Sequence, residues 1–265
     1  MPTPTPSDPD RTVVLLAGPG DTTDIVANYL AARLPDLVVI VEASPSRRTM
    51  AIRRAARIGW PTVIGQVLFV TTALPLLRWR GRRRIAEIVA GAGLDATARV
   101  PVHHVTSVNG DETVARLREA APAVVVVNGT RIISKNVLGS VDSQFVNTHA
   151  GTTPRYRGVH GGYWALAEGH PELVGTTVHL VDEGIDTGSV LARAPFAVTR
   201  ADSIATYPYL HLAAGLPHLA DQVARAQGGE RLAPLVEEPP AEGSRLYLHP
   251  TLWEYVRRRI VDGVR

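Results

Sequence analysis

Short apolar runs rich in valine recur through the first half of the chain, and each is too short to form a helix of its own. They are Thr12–Ala17 (TVVLLA), Leu37–Val41 (LVVIV), Pro101–Val105 (PVHHV) and Ala123–Val127 (AVVVV). Such runs are typical of strands buried on both faces of a sheet. Between the last two, Asp111–Ala120 has helical periodicity and acidic residues in its first turn. Alternating buried strands and helices predict an α/β fold with a Rossmann-like, mostly parallel sheet.

Polar, glycine-containing turns follow the first and fourth of these runs, GPGD at 18–21 and NGTR at 128–131. Ligands of parallel α/β sheets bind at the carboxyl ends of the strands, where both turns fall. The first turn precedes a predicted helix that is capped by Asp21 or Thr22. Backbone N–H groups at Gly18 and Gly20 could therefore accept an anion, although Asp21 would repel one. Both glycines are candidate substrate-binding residues.

The second half of the chain has a different pattern. Val190–Val198 alternates as an antiparallel strand does, and a long helix is predicted after it, capped by Asp202 or Ser203. Pro208 and Pro217 are expected to bend or break that helix. The final SRLYLHPTLWEYVRRRI predicts a strand-like piece and a short helix. We expect a flexible N-terminus (1–10), a main domain (11–229) with an insertion at 46–94, and a C-terminal appendage (230–265).

The stretch 46–94 interrupts the alternation of strands and helices, and it is predicted to be a helical insertion. Between Arg57 and Arg78 it carries no charge, over a length close to the roughly 20 residues that span a bilayer. Pro61 and Pro75 interrupt this run, so we expect two short helices rather than a membrane span. So much exposed apolar surface needs a cover. We expect protein contact, as in a homodimer through 57–84; contact with a membrane surface, favoured by the flanking arginines, is the alternative.

Composition narrows the class of protein further. The chain has no cysteine, which excludes disulfides and cysteine metal sites, and its first residues lack the apolar stretch of a secretory signal. We expect a cytoplasmic protein, with a location at a membrane surface as the alternative. Nearly all basic residues are arginine, and the formal net charge is +3. We interpret this as a bias of composition rather than a nucleic-acid surface, and expect no nucleic-acid partner.

Three polar residues carry the chemistry of the second half. A strand that ends in Asn-x-His presents Asn147 and His149 on one face, because side chains alternate along a strand. Asn147 offers a donor to a developing oxyanion, and His149 can exchange a proton near neutral pH. Asp186 lies in a glycine-rich turn, DEGIDTG, which can bring its carboxylate over the strand end. The set suits acyl transfer to an amine; a zinc site of His149, His160 and Asp186 is the rival, although the spacing matches no common zinc motif.

Four motifs, in this order and spacing, resemble those of the 10-formyltetrahydrofolate-dependent formyltransferases. They are NTH at 147–149, PRYRG at 154–158, GTTVH at 175–179 and DEGIDTG at 182–188. That family includes glycinamide ribonucleotide, methionyl-tRNA and amino-sugar formyltransferases. The resemblance covers roughly residues 123–198, and it implies an α/β sheet of formyltransferase type, with 11–229 as the catalytic domain.

The resemblance also implies roles for individual residues. Asn147 and His149 would polarise the formyl group, and Asp186, with a bound water, would help to move a proton from the attacking amine towards N10. The co-substrate would be 10-formyltetrahydrofolate, and no metal is implied. Its binding residues would be Arg131, Ile132 and Ile133, with the loop residues Val181, Asp182, Glu183, Gly184 and Ile185. Arg155, Arg157 and His160 are further candidates for substrate binding.

The resemblance does not identify the amine that accepts the formyl group. Ala150–Pro154 departs from the family pattern after the histidine, and only about 35 residues follow Gly229, which is short for the additional domain of the tRNA-formylating enzymes. We therefore expect a small-molecule amine, such as an amino sugar or a related biosynthetic precursor. Methionyl-tRNA formylation and formyltetrahydrofolate hydrolysis are the alternatives, and a non-catalytic, membrane-associated module is the alternative from a different class.

Overall fold

The computed structural model describes residues 12–34, 36–44, 46–97, 99–235 and 243–265. The predicted flexible N-terminus and most of the connector before the last strand lie outside these residues. Within them the strands are β1 Val13–Ala17, β2 Leu37–Glu42, β3 Val102–Val105, β4 Val124–Asn128, β5 Gln144–His149, β6 Tyr156–Gly158, β7 Gly175–Leu180, β8 Val190–Pro195 and β9 Arg245–Tyr247.

Helices alternate with these strands in the first half and cluster in the insertion. Within the described residues they are α1 Asp21–Ala31, α2 Arg47–Ile58, α3 Trp60–Leu68, α4 Leu74–Gly91, α5 Asp111–Ala120, α6 Lys135–Leu138, α7 Gly161–Ala167, α8 Tyr207–Gln227 and α9 Leu252–Val261. A π-helical turn, Phe69–Ala73, joins α3 to α4, and a 3-10 turn lies at Pro171–Leu173.

Seven strands form the central sheet in the order β3-β2-β1-β4-β5-β7-β8. The first five are parallel, and β7 and β8 run antiparallel to their neighbours. Every residue of β1 is buried, as a strand covered by helices on both faces requires. The predicted mostly parallel α/β sheet is confirmed, and so is the antiparallel strand after Gly188. β6 and β9 form a separate two-stranded ladder, which ties the C-terminal residues to the loop after β5.

The predicted caps of two helices are wrong. Gly20 is the N-cap of α1, and the carboxylate of Asp21 accepts a hydrogen bond of 2.7 Å from the hydroxyl of Tyr209 instead of capping the helix. α8 begins at Tyr207, with Thr206 rather than Asp202 or Ser203 at its N-cap. Two of the predicted cap residues instead bind distant side chains: Asp21 binds Tyr209, and Asp202 binds Arg84.

Three of the four prolines expected to break helices lie where a helix tolerates them. Pro61 and Pro208 are in first turns, where their missing N–H groups would have no helical partner. Pro75 follows the π-helical turn, which shifts the hydrogen-bond pattern by one residue. Pro217 lies inside α8, and the helix nevertheless continues to Gln227. The predicted pair of short helices is therefore wrong, since Trp60–Gly91 forms one continuous helical rod of 32 residues.

One face of this rod is covered by the C-terminal residues of the same chain. The Gln66 side chain donates a hydrogen bond of 2.9 Å to the carbonyl of His249, and buried Phe69 packs against Tyr255 with ring centroids 5.2 Å apart. The ring of Trp253 lies against Gly65. The rod is long and apolar enough to cross a membrane by length and composition alone, and 22% of its most apolar stretch is buried. Its other face has no cover within the described residues.

A buried ion pair anchors the far end of the rod to the main domain. The Nε of Arg84 lies 2.8 Å from Oδ1 of Asp202, a side chain with no solvent exposure. The other oxygen of that carboxylate accepts hydrogen bonds of 2.8 Å from the N–H and the hydroxyl of Thr199. Burial opposes the charge on Asp202, but the bonds from Arg84 and Thr199 outweigh it and lower the pKa of the carboxyl.

We predict that Arg84→Ala destabilises the fold by about 2 kcal/mol, because it leaves a buried carboxylate without its counter-charge. Arg83→Ala is the matched control. Arg83 is exposed, and no described residue forms a hydrogen bond or ion pair with its side chain. Urea unfolding of both variants measures the difference. Equal unfolding free energies would show that the pair contributes nothing to stability.

Candidate active site

The central strand β5 and its antiparallel neighbour β7 bring the candidate polar residues together. Asn147 pairs with His179 across the two strands, and His149 pairs with Thr177. Side chains directly opposite each other in a sheet share a face. Asn147 is half-buried and His149 is buried, at the end of β5 where a loop crosses over it.

The third residue reaches this strand end from the loop after β7. Asp186 adopts a left-handed backbone conformation with φ of 51°. A Cβ at Gly188 would overlap the carbonyl oxygen of Leu180, so the loop can fold back on β7 only with glycine there. The Asp186 carboxylate then accepts a hydrogen bond of 2.8 Å from the N–H of Gly158. This loop holds the carboxylate over Asn147 and His149.

His149 is clamped between two acceptors. Its Nδ1 lies 3.3 Å from Oδ2 of Asp186, and its Nε2 donates a hydrogen bond of 2.7 Å to the carbonyl oxygen of Tyr156. Both ring nitrogens thus already have protein partners in this arrangement, and polarisation of a bound formyl group by His149 stays a prediction.

His179 is a member of the site that the sequence reasoning missed. Its Nε2 lies 3.2 Å from Nδ2 of Asn147 and 3.7 Å from Oδ1 of Asp186, while its Nδ1 donates to the carbonyl oxygen of Leu180 at 2.7 Å. The alternation of side chains in GTTVHL could have indicated His179, because it places this residue opposite Asn147 once β7 pairs with β5. Without knowledge of that pairing, GTTVH indicated only the resemblance to the family.

The charge on Asp186 depends on these neighbours. Burial opposes ionisation, but the nearby imidazoles of His149 and His179, and the hydrogen bond from the N–H of Gly158, outweigh it and hold the pKa of the carboxyl well below its usual range. Asn147 completes the surroundings, with Nδ2 3.5 Å from Oδ1 of Asp186. Nδ2 also lies 3.2 Å from Nε2 of His179, so one amide hydrogen faces that ring, while the other is held only by the long contact to Asp186 and is available to a ligand.

A cavity of about 480 Å³ opens in front of this group. That volume is within the range of sites for small organic ligands. Asn147, His149, His179 and Asp186 all line it, together with the loops 128–133 and 181–186. The predicted catalytic trio thus lies at one wall of a ligand-sized cavity.

The sequence profile of the formyl transferase family matches residues 35–210 of this chain. The chain belongs to the formyl transferase family. The match includes the sheet from the second strand onward, the insertion and the group around Asp186.

Curated relatives include two methionyl-tRNA formyltransferases. The protein from Anaeromyxobacter sp. (strain K) is 33% identical over 159 residues, which are 54% of this chain and 51% of the relative. The protein from Myxococcus xanthus is 33% identical over 187 residues, 66% of this chain and 59% of the relative. The chain thus spans about half the length of the curated relatives it matches.

Solved structures of similar fold include formyltransferases with other acceptors. A likely sugar N-formyltransferase from Mycobacterium tuberculosis has a TM-score of 0.55 at 18% identity, covering 89% of this chain and 75% of that one. Glycinamide ribonucleotide transformylase 1 from Symbiobacterium toebii has a TM-score of 0.54 at 18% identity, covering 84% of this chain and 90% of that one. These similarities show a shared fold.

Most of the residues predicted to bind the co-substrate line the cavity of this formyltransferase-family chain. Arg131, Ile132 and Ile133 do so, and so do Val181, Asp182, Gly184 and Ile185. Glu183 lies outside the lining, and its carboxylate pairs with Lys135 at 2.7 Å. The guanidinium of Arg131 faces the buried carboxylate of Glu42, with Nε 2.5 Å from Oε2. The segment therefore meets the cavity with its backbone and Ile132, rather than with the charge of Arg131.

The residues predicted to bind the acceptor lie outside the cavity lining. Arg155 contacts Nε2 of His170 at 2.8 Å, and Arg157 donates to the carbonyl of Ile185 at 3.3 Å. Nε2 of His160 lies 2.9 Å from Nδ1 of His249; burial, with this neighbour and Arg78, lowers the pKa of His160 to about 3. The contact of Arg157 ties β6 to the loop that carries Asp186, whereas Arg155 and His160 contact residues outside that loop.

The backbone around Gly18 and Gly20, in the first turn, requires glycine at both positions. A Cβ at Gly18 would overlap the carbonyl oxygen of Gly129, and Gly20 has a φ of 142°. In contrast, Thr22, His211 and Leu212 line the cavity and were not predicted. Within the described residues, no group of three or more metal-binding side chains is suitably placed for an ion, and His160 is turned to His249 rather than to Asp186.

We predict that Asp186→Asn lowers the free energy of unfolding by about 2 kcal/mol at pH 7. The folded state holds the pKa of Asp186 below its unfolded value of about 4, so its ionisation stabilises the fold above that pH. The stabilisation is lost as pH falls below about 4, and the difference between wild type and variant should shrink there. Unfolding curves between pH 7 and pH 3 measure it.

The control for this prediction is Asp221→Asn. Asp221 is an exposed residue of α8 that forms no hydrogen bond or ion pair with the described residues. Its substitution should change stability by less than about 0.5 kcal/mol at every pH. A difference for Asp186→Asn that stays constant down to pH 3 would contradict the proposed linkage.

Proposed function

We propose that this protein is an N-formyltransferase that moves a formyl group from 10-formyltetrahydrofolate to the amine of a small molecule, with an amino sugar or a related precursor favoured. One observation carries the proposal: Asn147, His149 and Asp186 converge at the wall of a cavity of about 480 Å³ in a chain of the formyl transferase family. A charge-bearing buried cluster facing a cavity is the arrangement expected of a catalytic site.

The lining of the cavity fits a reduced folate. A pterin has a flat ring with hydrogen-bonding groups along its rim, so it needs apolar contact on its faces and polar backbone groups at its edge. Ile132, which is 54% exposed, and Val181 supply apolar contact, while the loops 128–133 and 181–186 bring backbone groups to the same cavity. Arg131 stays bound to Glu42, which fixes the first loop without placing a free cation in the cavity.

The proposed reaction forms a bond between the acceptor nitrogen and the formyl carbon and breaks the bond from that carbon to N10. Negative charge develops on the formyl oxygen as the amine attacks. The side-chain amide of Asn147 is the donor that faces the cavity, and its N–H stabilises that charge. The attacking amine loses one proton and N10 gains one, so no net proton is consumed.

Asp186 orders this proton transfer by holding a negative charge at a fixed place. Its low pKa means that it accepts hydrogen bonds readily but binds a proton weakly. We assign it the role of polarising the amine, directly or through a water, while the proton passes to N10. His149 fixes the direction of the carboxylate from its place between Asp186 and the carbonyl of Tyr156.

Two features support a small acceptor over a tRNA. The described C-terminal residues fold against the site, where β9 pairs with β6 and α9 packs on the rod, so they form part of the catalytic body. Outside the insertion the chain carries a net charge of −6, so attraction of a polyanion would have to come from the insertion alone. The methionyl-tRNA formyltransferases among the relatives keep tRNA as the second candidate acceptor.

The donor can be tested by calorimetry with 5-formyl- and 10-formyltetrahydrofolate. We expect the wild-type protein to bind both, and Ile132→Glu to weaken binding at least tenfold, because it places an unpaired charge in the apolar part of the cavity. Leu235→Glu, at a leucine that is 63% exposed and outside the cavity lining, is the control and should bind as the wild type does. Absence of binding to either folate by the wild-type protein would refute the donor.

Catalysis is tested by Asn147→Ala and Asp186→Asn in a turnover assay. Each should lower kcat about a hundredfold or more, because each removes a charge-stabilising group from the reaction centre, while the Kd for the folate changes little for Asn147→Ala. Asn136→Ala, at an exposed asparagine of α6, is the control. Near-normal turnover by either site variant would mean that the group does not act in catalysis.

The acceptor is identified by mass spectrometry of the products of three separate reactions. The first contains amino-sugar nucleotides, the second contains methionyl-tRNA, and the third contains no added amine. Formylation of an amino-sugar nucleotide is the expected outcome. Formyl-methionyl-tRNA would replace this acceptor by the second candidate, and formate without an added amine would indicate a hydrolase. Donor binding with no product in any arm would favour a non-catalytic module.

A further inference from the structure

The positive charge of the chain is concentrated in the insertion, residues 46–94. This stretch contains ten arginines and a single acidic residue, Glu87, a net charge of +9 in a chain whose total is +3. The remainder is therefore acidic overall. A separation of charge this strong within one domain points to an anionic partner surface that meets the insertion.

An uncovered apolar stripe lies between these arginines. Trp60, Ile64 and Leu68 follow one another at helical spacing on α3, and they are 55%, 52% and 40% exposed. Beyond the π-helical turn, Leu76 and Trp79 are 46% and 61% exposed. The opposite side of the rod is the one that packs on the protein, through Gln66, Phe69 and Arg84. The rod thus has two apolar faces, and only one of them is covered within the described residues.

The C-terminal helix widens this surface. α9 contacts the rod, and its Trp253 lies on Gly65 while remaining 52% exposed. Val256 and Ile260 follow at helical spacing and are 43% and 77% exposed. Together these residues and the stripe form an apolar surface contributed by two packed helices, and we call it the docking face.

Arginines border the docking face on the rod and on the helices next to it. Arg80, Arg82 and Arg83 are exposed beside Trp79, and the guanidinium of Arg82 stacks on the Trp79 ring at 4.9 Å. Exposed arginines also lie on α2, at positions 48, 53 and 57, and on α9, at positions 257 and 259. Tryptophan with arginine around an apolar stripe is the composition of helices that lie in the headgroup region of a bilayer.

Charge decides which occupant fits the docking face. A symmetric dimer would press each +9 surface against its own copy, because a two-fold interface uses the same patch on both subunits. An RNA would satisfy the arginines but would leave the tryptophans and leucines between them without an apolar partner. A bilayer with anionic lipids satisfies both. The rod cannot span it, since Gln66, Phe69 and Arg84 hold one side of it against the protein.

We propose that the docking face seats the protein on an anionic membrane surface, with the rod lying in the plane of the headgroups. The apolar stripe then enters the boundary with the acyl chains, and the arginines contact lipid phosphates. This replaces the expected homodimer as the cover of the insertion. It does not rest on formyl transfer, and a failure of either proposal would leave the other standing.

Flotation of the full-length protein with vesicles tests this proposal. We expect binding to vesicles of phosphatidylglycerol and phosphatidylcholine, little binding to phosphatidylcholine alone, and release as salt is raised. Ile64→Glu should reduce binding at least tenfold, because it puts a negative charge on the apolar stripe. Leu235→Glu makes the same change at a site that is 63% exposed and far along the chain, and it should bind as the wild type does.

Charge is tested separately with Arg80→Ser and Arg83→Ser combined. Each arginine near an anionic surface strengthens binding about fivefold, so the pair should lose roughly 30-fold. Arg118→Ser with Arg231→Ser removes the same charge from two exposed arginines outside the insertion and should lose little. Circular dichroism and thermal unfolding establish that each variant is folded.

Several results would overturn the proposal. They are a dimer in light scattering that ignores vesicles, RNA binding without vesicle binding, and equal losses in the insertion variants and their controls. Salt-sensitive binding to anionic vesicles by a monomer, lost selectively in the insertion variants, is the supporting result.

Discussion

The candidate site depends on one partly buried carboxylate that stays charged. Asp186 lies at the end of β5 among His149, His179 and the N–H of Gly158, and these contacts outweigh the cost of burying its charge. Each contact comes from a different element, namely β5, β7 and β6. Three features are therefore required to position the groups around Asp186. They are the antiparallel pairing of β5 with β7, the glycine turn that ends at Gly188 and the ladder of β6 with β9. The parallel half of the sheet supplies the frame on which they rest.

The insertion and the C-terminal appendage, which the sequence separates by about 140 residues, fold as one unit. Gln66 reaches the carbonyl of His249, Phe69 packs on Tyr255, and Trp253 lies on Gly65. Neither part could bury its apolar side alone, because each is a thin layer of helix. Their contact also brings Phe69 within 6.5 Å of the ring of His160, two residues beyond Gly158. The rod therefore packs beside the segment that follows Gly158, whose N–H binds Asp186.

The sequence predicted what depends on local pattern and missed what depends on pairing. Runs of valine form buried strands because few other structures bury continuous β-branched residues. The sheet could therefore be predicted from the sequence. Asn147 and His149 share a face by alternation alone. His179 required knowledge that β7 runs antiparallel beside β5, and the pairing of Arg131 with Glu42 joins residues 89 apart. The rod continues past Pro75 because a π-helical turn precedes it, and no composition rule indicates that turn.

The low pKa of Asp186 limits how the proposed reaction can work. Because its pKa is lowered, Asp186 favours the charged form, and we propose that it stabilises positive charge on the attacking amine rather than storing the proton. On this proposal the proton leaves the amine as N10 receives one. The N–H of Asn147 stabilises the complementary negative charge on the formyl oxygen. In the proposed reaction, two fixed groups of opposite polarity face the two charges that form, so we expect the rate enhancement to arise from their placement rather than from a tuned base.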